Sequence, residues 1–279
     1  MVNKIKFRIV CFYFIFFVMA LLYGMELVKK AYNYKEADLK YAQKEIILED
    51  NALRVVFFDG YITMYYGNMQ FTDNNGLASS FTVDGVDYPT FKAKWNINKI
   101  SPTELFATNE WPGLSVRQSW HFLLKEGKLN WQIDLESKND IDMINVGVVF
   151  LFRNNYQEWV SLYEQGRIPV LGVLQQRKNI KLPFTSNALG LNAYGKDNKL
   201  FPAVGLTLGE GSFFNKALLS SCRGMFSKIT YLSLSFGGKE PLKVFKNSKI
   251  TLSSGQMGIF NKKDDLMRYL KMEQDKFKN

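Results

Sequence analysis

The chain has 279 residues, 47% of them hydrophobic and 15% aromatic, with a formal charge of +10 and two cysteines. That supplies a sizeable core for one large domain or two small ones, while two cysteines exclude a disulfide framework and any cysteine-built zinc or iron–sulfur centre. The charge does not mark a nucleic-acid binder: Lys4, Lys6, Arg8, Lys29 and Lys30 against Glu26 place +4 in residues 1–30, and beyond them basic residues interleave with acids, as in "NKKDDLMRYLKMEQDKFKN".

Residues 1–8 carry three basic side chains and lead into "IVCFYFIFFVMALLYGM", residues 9–25, an uncharged apolar run of bilayer-crossing length. Basic followed by apolar reads as a signal anchor with a cytoplasmic N-terminus. The region after Ala20 offers no small-x-small cleavage site, so the expectation is an uncleaved, single-pass anchor in the cytoplasmic membrane with the rest of the chain extracytoplasmic. Cys11 falls inside this run, which leaves Cys222 without a disulfide partner in the folded domain. Residues 26–45 contain good helix formers with neither proline nor glycine, and Leu27, Ala31, Tyr34 and Tyr41 fall near one face; they read as a helical stalk.

From Ile46 the pattern is β. "LRVVFFDGYITMYYG" sets two apolar-aromatic runs around Asp59-Gly60, and "SSFTVDGVDY" repeats the device at Asp84-Gly85. Asp-Gly suits the tight hairpin turn that requires positive φ at both central residues. Further strands are expected at 92–98, 103–108, 115–124, 129–136, 142–151, 168–174, 203–208, 229–236 and 249–254, separated by turn signals. Their number and spacing predict an all-β fold, a large antiparallel sandwich of a dozen or more strands over residues 46–260. Leu266, Met267, Leu270 and Phe277 at helical spacing predict a C-terminal helix within 261–279, capped by Asn261.

The stretch "SVRQSWHFLLKEGKLNWQIDLE" is the most informative. Val116, Gln118, Trp120, Phe122 and Leu124 alternate with Arg117, Ser119 and His121; Leu129, Trp131, Ile133 and Leu135 alternate with Asn130, Gln132, Asp134 and Glu136. Closing a hairpin at "KEGK" with Lys125 opposite Lys128 places His121 opposite Gln132, Ser119 opposite Asp134 and Arg117 opposite Glu136 on one face. Such a face, with Arg–Glu and Ser–Asp pairs, serves either as a solvated surface or as the floor of a groove for a polyhydroxylated ligand. Trp120 and Trp131 lie with the aliphatic residues and read as core. Trp111, beside Pro112-Gly113, and Trp159, after "RNNYQE", read as loop aromatics available for stacking on a sugar.

The succession "LRVVFFDGYITMYYG", "GLASSFTVDGVDYPTFKAKWNI", "WPGLSVRQSWHFLLKEGKLNWQIDLE" and "VVFLFRNNYQEW" resembles the β-supersandwich of the galactose mutarotase-like superfamily, particularly modules of bacterial polysaccharide-handling proteins. The similarity covers roughly residues 46–165, and the second half fits by strand pattern alone. It implies a carbohydrate-binding fold whose concave sheet receives the sugar. It does not carry over the enzyme: sugar-epimerising members use more than one histidine with a glutamate base, and His121 is the single histidine here. The helical toroid that accompanies the supersandwich in polysaccharide lyases has no room beside it in 279 residues.

Other chemistry finds little footing. A metal site built from histidine and cysteine is excluded by count, "TDNNG" (72–76) lacks the full acidic spacing of a calcium loop, and there is no G-x-S-x-G, phosphate loop or dinucleotide fingerprint. Glycoside hydrolysis needs only two carboxylates, and Glu110, Asp134, Glu136 and Glu158 are available. The expectation is a carbohydrate-binding protein serving polysaccharide assembly, modification or export, without cofactor, metal or nucleic acid. Its binding residues are expected to be Arg117, His121, Gln132 and Glu136 from one sheet face with Trp111, Arg153, Tyr156 and Trp159 from adjoining loops. Two alternatives stand beside it: a glycan epimerase or lyase-like enzyme using carboxylates and tyrosines, and a structural subunit docking to a membrane glycosyltransferase or export complex.

Overall fold

A computed structural model describes residues 45–58, 60–172, 175–182, 188–193, 201–209, 216–223, 230–237 and 241–276. The anchor expected at 9–25 and all but Glu45 of the stalk expected at 26–45 lie outside these residues. Among the described residues no helix is long and apolar enough to cross a membrane.

Among the described residues, twenty strands and one α-helix follow in chain order, with a 3-10 turn at Thr90–Lys92. They are β1 (Ile46–Asp50), β2 (Leu53–Phe58), β3 (Tyr61–Tyr66), β4 (Met69–Gln70), β5 (Thr72–Val83), β6 (Val86–Pro89), β7 (Lys94–Ser101), β8 (Glu104–Glu110), β9 (Val116–Lys125), β10 (Lys128–Ser137) and β11 (Ile141–Arg153). The second half adds β12 (Glu158–Val160), β13 (Gln165–Arg167), β14 (Arg177–Leu182), β15 (Ala188–Asn192), β16 (Ala203–Leu208), β17 (Lys216–Arg223), β18 (Thr230–Gly237), β19 (Leu242–Val244), β20 (Lys249–Phe260) and α1 (Lys263–Lys276).

The hairpins expected at Asp84-Gly85 and at residues 125–128 form with the tight-turn geometry, while Asp59 of the other Asp-Gly turn lies outside the described residues. Asp84 and Gly85 both have positive φ, 50° and 76°, and so do Glu126 and Gly127, 56° and 69°. This is the two-residue geometry that matches strand twist, and it sets Lys125 opposite Lys128. Two expectations fail. Residues 168–172 lie outside any strand, because Pro169 has no N–H for a ladder and its carbonyl instead accepts from Ser221 Oγ. Asn261 does not cap α1, which starts at Lys263; the preceding carbonyl, that of Lys262, accepts from the Leu266 amide at 3.2 Å. Residues 72–76 run as strand at the head of β5.

Among the described residues three antiparallel sheets result. Nine strands run β13-β12-β15-β16-β20-β10-β9-β8-β7, seven run β14-β17-β18-β11-β5-β6, and β1 to β4 form a third sheet in order, with β19 pairing the start of β11. The core lies between the two larger sheets: Trp131 of β10 meets Phe150 of β11 edge-on at 5.1 Å, and Phe150 meets Phe236 of β18 at 6.2 Å. Phe57 of β2 packs edge-on against Trp95 and Phe122, which joins the small sheet to this core. A second, smaller cluster lies on the outer face of the nine-stranded sheet, where Leu266, Tyr269 and Leu270 of α1 cover Val160, Ala188 and Ala203. Glycines make that close approach feasible. A Cβ at Gly205 would stand 2.7 Å from the Tyr269 ring, and one at Gly190 would stand 2.8 Å from Leu266. The outer face of the nine-stranded sheet is therefore partly roofed by a helix.

Candidate functional site

The β9–β10 register places His121 opposite Gln132, Ser119 opposite Asp134 and Arg117 opposite Glu136, as the alternation requires. Arg117 sits between two carboxylates: Nε donates to Glu110 Oε1 at 3.0 Å and Nη1 to Glu136 Oε1 at 3.4 Å. His121 Nε2 lies 2.8 Å from Glu104 Oε1. The Ser119–Asp134 pair does not form as expected. Asp134 instead accepts from Gln132 Nε2 at 3.0 and 2.9 Å and Thr251 Oγ1 at 2.8 Å, and pairs with Lys249 at 2.9 Å. Burial raises the Asp134 carboxyl's pKa, but those hydrogen bonds and the Lys249 charge together outweigh it and hold it below the usual carboxylate range. Arg117, Glu110 and Glu136 edge a hollow of about 290 Å³ that Ser115 and Asn247 also line.

The loop aromatics expected to stack on a sugar are core residues. Trp111 is 4% exposed, with its ring edge-on to Phe81 at 4.9 Å and Nε1 donating to Pro89 O at 3.1 Å. Tyr156, 2% exposed, is wedged between Phe152 and Phe201, and burial pushes its phenol well above the usual value. Trp159 is 8% exposed and lies over Gly166, where a Cβ would stand 2.6 Å from its Nε1. None of the three presents a ring face to a ligand. Arg153 is exposed but follows Phe152 at the end of β11, and so stands on the outer face of the seven-stranded sheet, away from Arg117 and His121.

That seven-stranded face carries the larger hollow, about 470 Å³, within the range of small-ligand sites. Its floor mixes small residues with the apolar Val149 and Leu218, which flank Ser235 on the neighbouring strands. Ser80, Gly147 and Gly237 are in register across β5, β11 and β18, and Ser235 lies beside them, while Leu234 and Phe236 point into the core. Asn145 closes one side at a β-bulge between Ile144 and Gly147, with φ at +52°. Asparagine tolerates this left-handed backbone, and such bulges recur beside binding sites because they re-aim a side chain. Here Asn145 Nδ2 donates to Thr82 Oγ1 at 3.3 Å, and Thr82 Oγ1 in turn donates to Asp87 Oδ1 at 2.6 Å. Arg177 of β14 forms the far wall, its Nε donating to Asn179 Oδ1 at 2.9 Å and its Nη2 to Ser220 Oγ at 3.2 Å. The hollow thus offers hydroxyls, an amide and a guanidinium beside the apolar Val149 and Leu218 side chains, a mix that suits the hydroxyl rim and C–H face of a pyranose. Among its described lining there is no carboxylate and no imidazole.

Asn145, Arg177 and Ser235 were not singled out by sequence reasoning. The alternation of Ser233, Ser235 and Gly237 with Leu232, Leu234 and Phe236 is the signal that marks a strand whose small residues face away from the core. Arg177 carries no such signal, because β14 is an edge strand whose residues are mostly exposed.

No protein-family model matches the chain, and no curated protein matches it. Solved structures do share its architecture. A galactose mutarotase related enzyme from Lactobacillus acidophilus superposes with a TM-score of 0.54 at 10% identity, over 77% of this chain and 97% of that one. A protein provisionally assigned as an aldose 1-epimerase from Escherichia coli K12 gives 0.52 at 9% identity, over 77% and 98%. A variant GH36 alpha-galactosidase from Geobacillus stearothermophilus, in complex with stachyose, gives 0.51 at 10% identity over 78% of this chain, which spans 41% of that enzyme. The match extends well past residues 46–165, so the second half belongs to the same architecture as the first: the protein has a galactose mutarotase-like fold.

Proposed function

We propose that the protein is a membrane-anchored, extracytoplasmic carbohydrate-binding protein serving bacterial polysaccharide assembly, modification or export, with the glycan held on the outer face of the seven-stranded sheet. The observation that carries this is the 470 Å³ hollow floored by glycine, serine, Val149 and Leu218, with an amide wall at Asn145 and a guanidinium wall at Arg177. Binding is favoured over turnover because the single histidine, His121, is paired with Glu104 on the other sheet, and sugar epimerisation needs a placed acid and base. The apolar run at 9–25 behind Lys4, Lys6 and Arg8 supports the anchor.

A second reading keeps the glycan on the nine-stranded face, with Arg117, His121, Gln132 and Glu136 as its contacts, and the 290 Å³ hollow beside Arg117 favours it. One experiment separates the two. The full-length chain is probed on a glycan array beside Ser235→Phe, which fills the larger hollow from its floor, and Arg117→Ala, which opens the smaller one. Loss of binding in Ser235→Phe alone supports the proposal; loss in Arg117→Ala alone supports the second reading. Absence of any glycan signal, with co-purification of a membrane glycosyltransferase or exporter, replaces both with a docking role.

A further inference from the structure

Resting on the seven-stranded-face reading above, we infer that the glycan is acidic: the hollow selects a saccharide bearing carboxylate or phosphate over its neutral counterpart, through Arg177. The guanidinium is oriented before any ligand arrives. Asn179 Oδ1 holds Nε at 2.9 Å and Ser220 Oγ holds Nη2 at 3.2 Å, both from within the sheet. Both anchors are neutral, so they fix the plane of the fork without cancelling its charge. Among the described residues no carboxylate forms a salt bridge with Arg177. Arg117 on the other sheet is the contrast, its charge met by Glu110 and Glu136.

The surroundings repeat the sign. Cross-strand register puts Arg177 opposite Cys222, Cys222 opposite Tyr231 and Tyr231 opposite Arg153, so both arginines belong to one row of the sheet, about 14 Å apart at three strand spacings. Arg153 donates to Gln70 Oε1 at 2.8 Å and likewise forms no salt bridge among the described residues. Lys181, opposite Leu218 on β17, is exposed beside the hollow. Asp87, linked to Asn145 through Thr82, is on β6 at the opposite edge of the sheet from β14, and Asp142 of β11 is opposite Lys243. A planar, always-charged fork held over hydroxyls, with neutral anchors, is the arrangement that receives a carboxylate or phosphate by paired N–H donors. A neutral hexose would gain no charge pairing from that fork.

The test measures affinity of the full-length chain for a polyuronate, for a neutral polymer of matched linkage, for a hexose phosphate and for inorganic phosphate, with Arg177→Gln and Arg177→Lys alongside. The expected result is binding of the polyuronate or the hexose phosphate about tenfold to a hundredfold tighter than the neutral polymer, weakening as salt is raised. Preference for the polyuronate identifies the anion as a carboxylate, and preference for the hexose phosphate identifies it as a phosphate. Arg177→Gln removes the discrimination and Arg177→Lys restores only part of it. Equal wild-type affinity for acidic and neutral saccharides, or discrimination that persists in a folded Arg177→Gln, overturns this inference and leaves carbohydrate binding standing. Binding of inorganic phosphate without any saccharide overturns it as an anion site only. Binding to none of the four defeats the inference and the carbohydrate reading together.

Discussion

Trp111 separates a ligand platform from a core residue, and its packing sets the size of the effect. The ring is 4% exposed, edge-on to Phe81 at 4.9 Å and to Tyr88 at 6.5 Å, with Nε1 bonded to Pro89 O at 3.1 Å. Truncating a packed tryptophan to alanine costs about 3–5 kcal/mol through lost transfer energy and the cavity left behind. Of that, the aromatic pair contributes about 0.5–1.5 kcal/mol and the hydrogen bond about 1 kcal/mol. Against a total stability of about 5–15 kcal/mol, Trp111→Ala should lower the urea midpoint steeply. Trp111→Phe keeps most of the ring and loses about 1 kcal/mol, chiefly the bond to Pro89. Urea unfolding followed by circular dichroism measures both, and glycan affinity is then read on the folded Trp111→Phe, where it should match wild type. Trp111→Ala with a wild-type midpoint but no glycan retention would refute the burial reasoning and return Trp111 to the binding surface.

Two further outcomes follow from charged groups. Asp134 has its carboxyl held below the ordinary range in the folded state, so its contribution is present above the unfolded value and is lost as pH falls through the folded one. In acid titrations of stability, Asp134→Asn should therefore show a shallower loss below about pH 4 than wild type; parallel curves would mean that the Lys249, Gln132 and Thr251 contacts do not favour the ionised form. Lys263 of α1 reaches both oxygens of buried Glu158, at 2.9 and 2.8 Å, and Gln165 Oε1 at 3.1 Å. Lys263→Met should destabilise by about 2 kcal/mol, discounted from the cost of breaking a fully buried pair because Lys263 is partly exposed, and Lys263→Met/Glu158→Gln should recover at least half of it. A double variant no more stable than the single one contradicts a charge-based loss.

What was legible in the sequence is what short-range chemistry controls. The period-two alternation in residues 116–124 and 129–136, with a Glu126-Gly127 turn that accepts positive φ, determines the β9–β10 register and hence the grouping of Arg117 with Glu136 and of His121 with Gln132. The same logic put Trp120 and Trp131 in the core, because a strand's faces alternate whatever lies beyond it. Tertiary structure alone decided the fate of the loop aromatics. Trp111 is covered by Phe81 and Tyr88, and Tyr156 by Phe201, residues that no local pattern brings near. It also decided which sheet face is open. Ser233, Ser235 and Gly237 announce a small-residue face, yet Arg177 reaches it only because β14 adds to β17 and sets the guanidinium against Ser220, 43 residues away. Alternation along a strand is set by backbone geometry within a few residues, whereas burial of a loop and the arrival of an edge strand depend on long-range pairing, which composition and spacing do not encode.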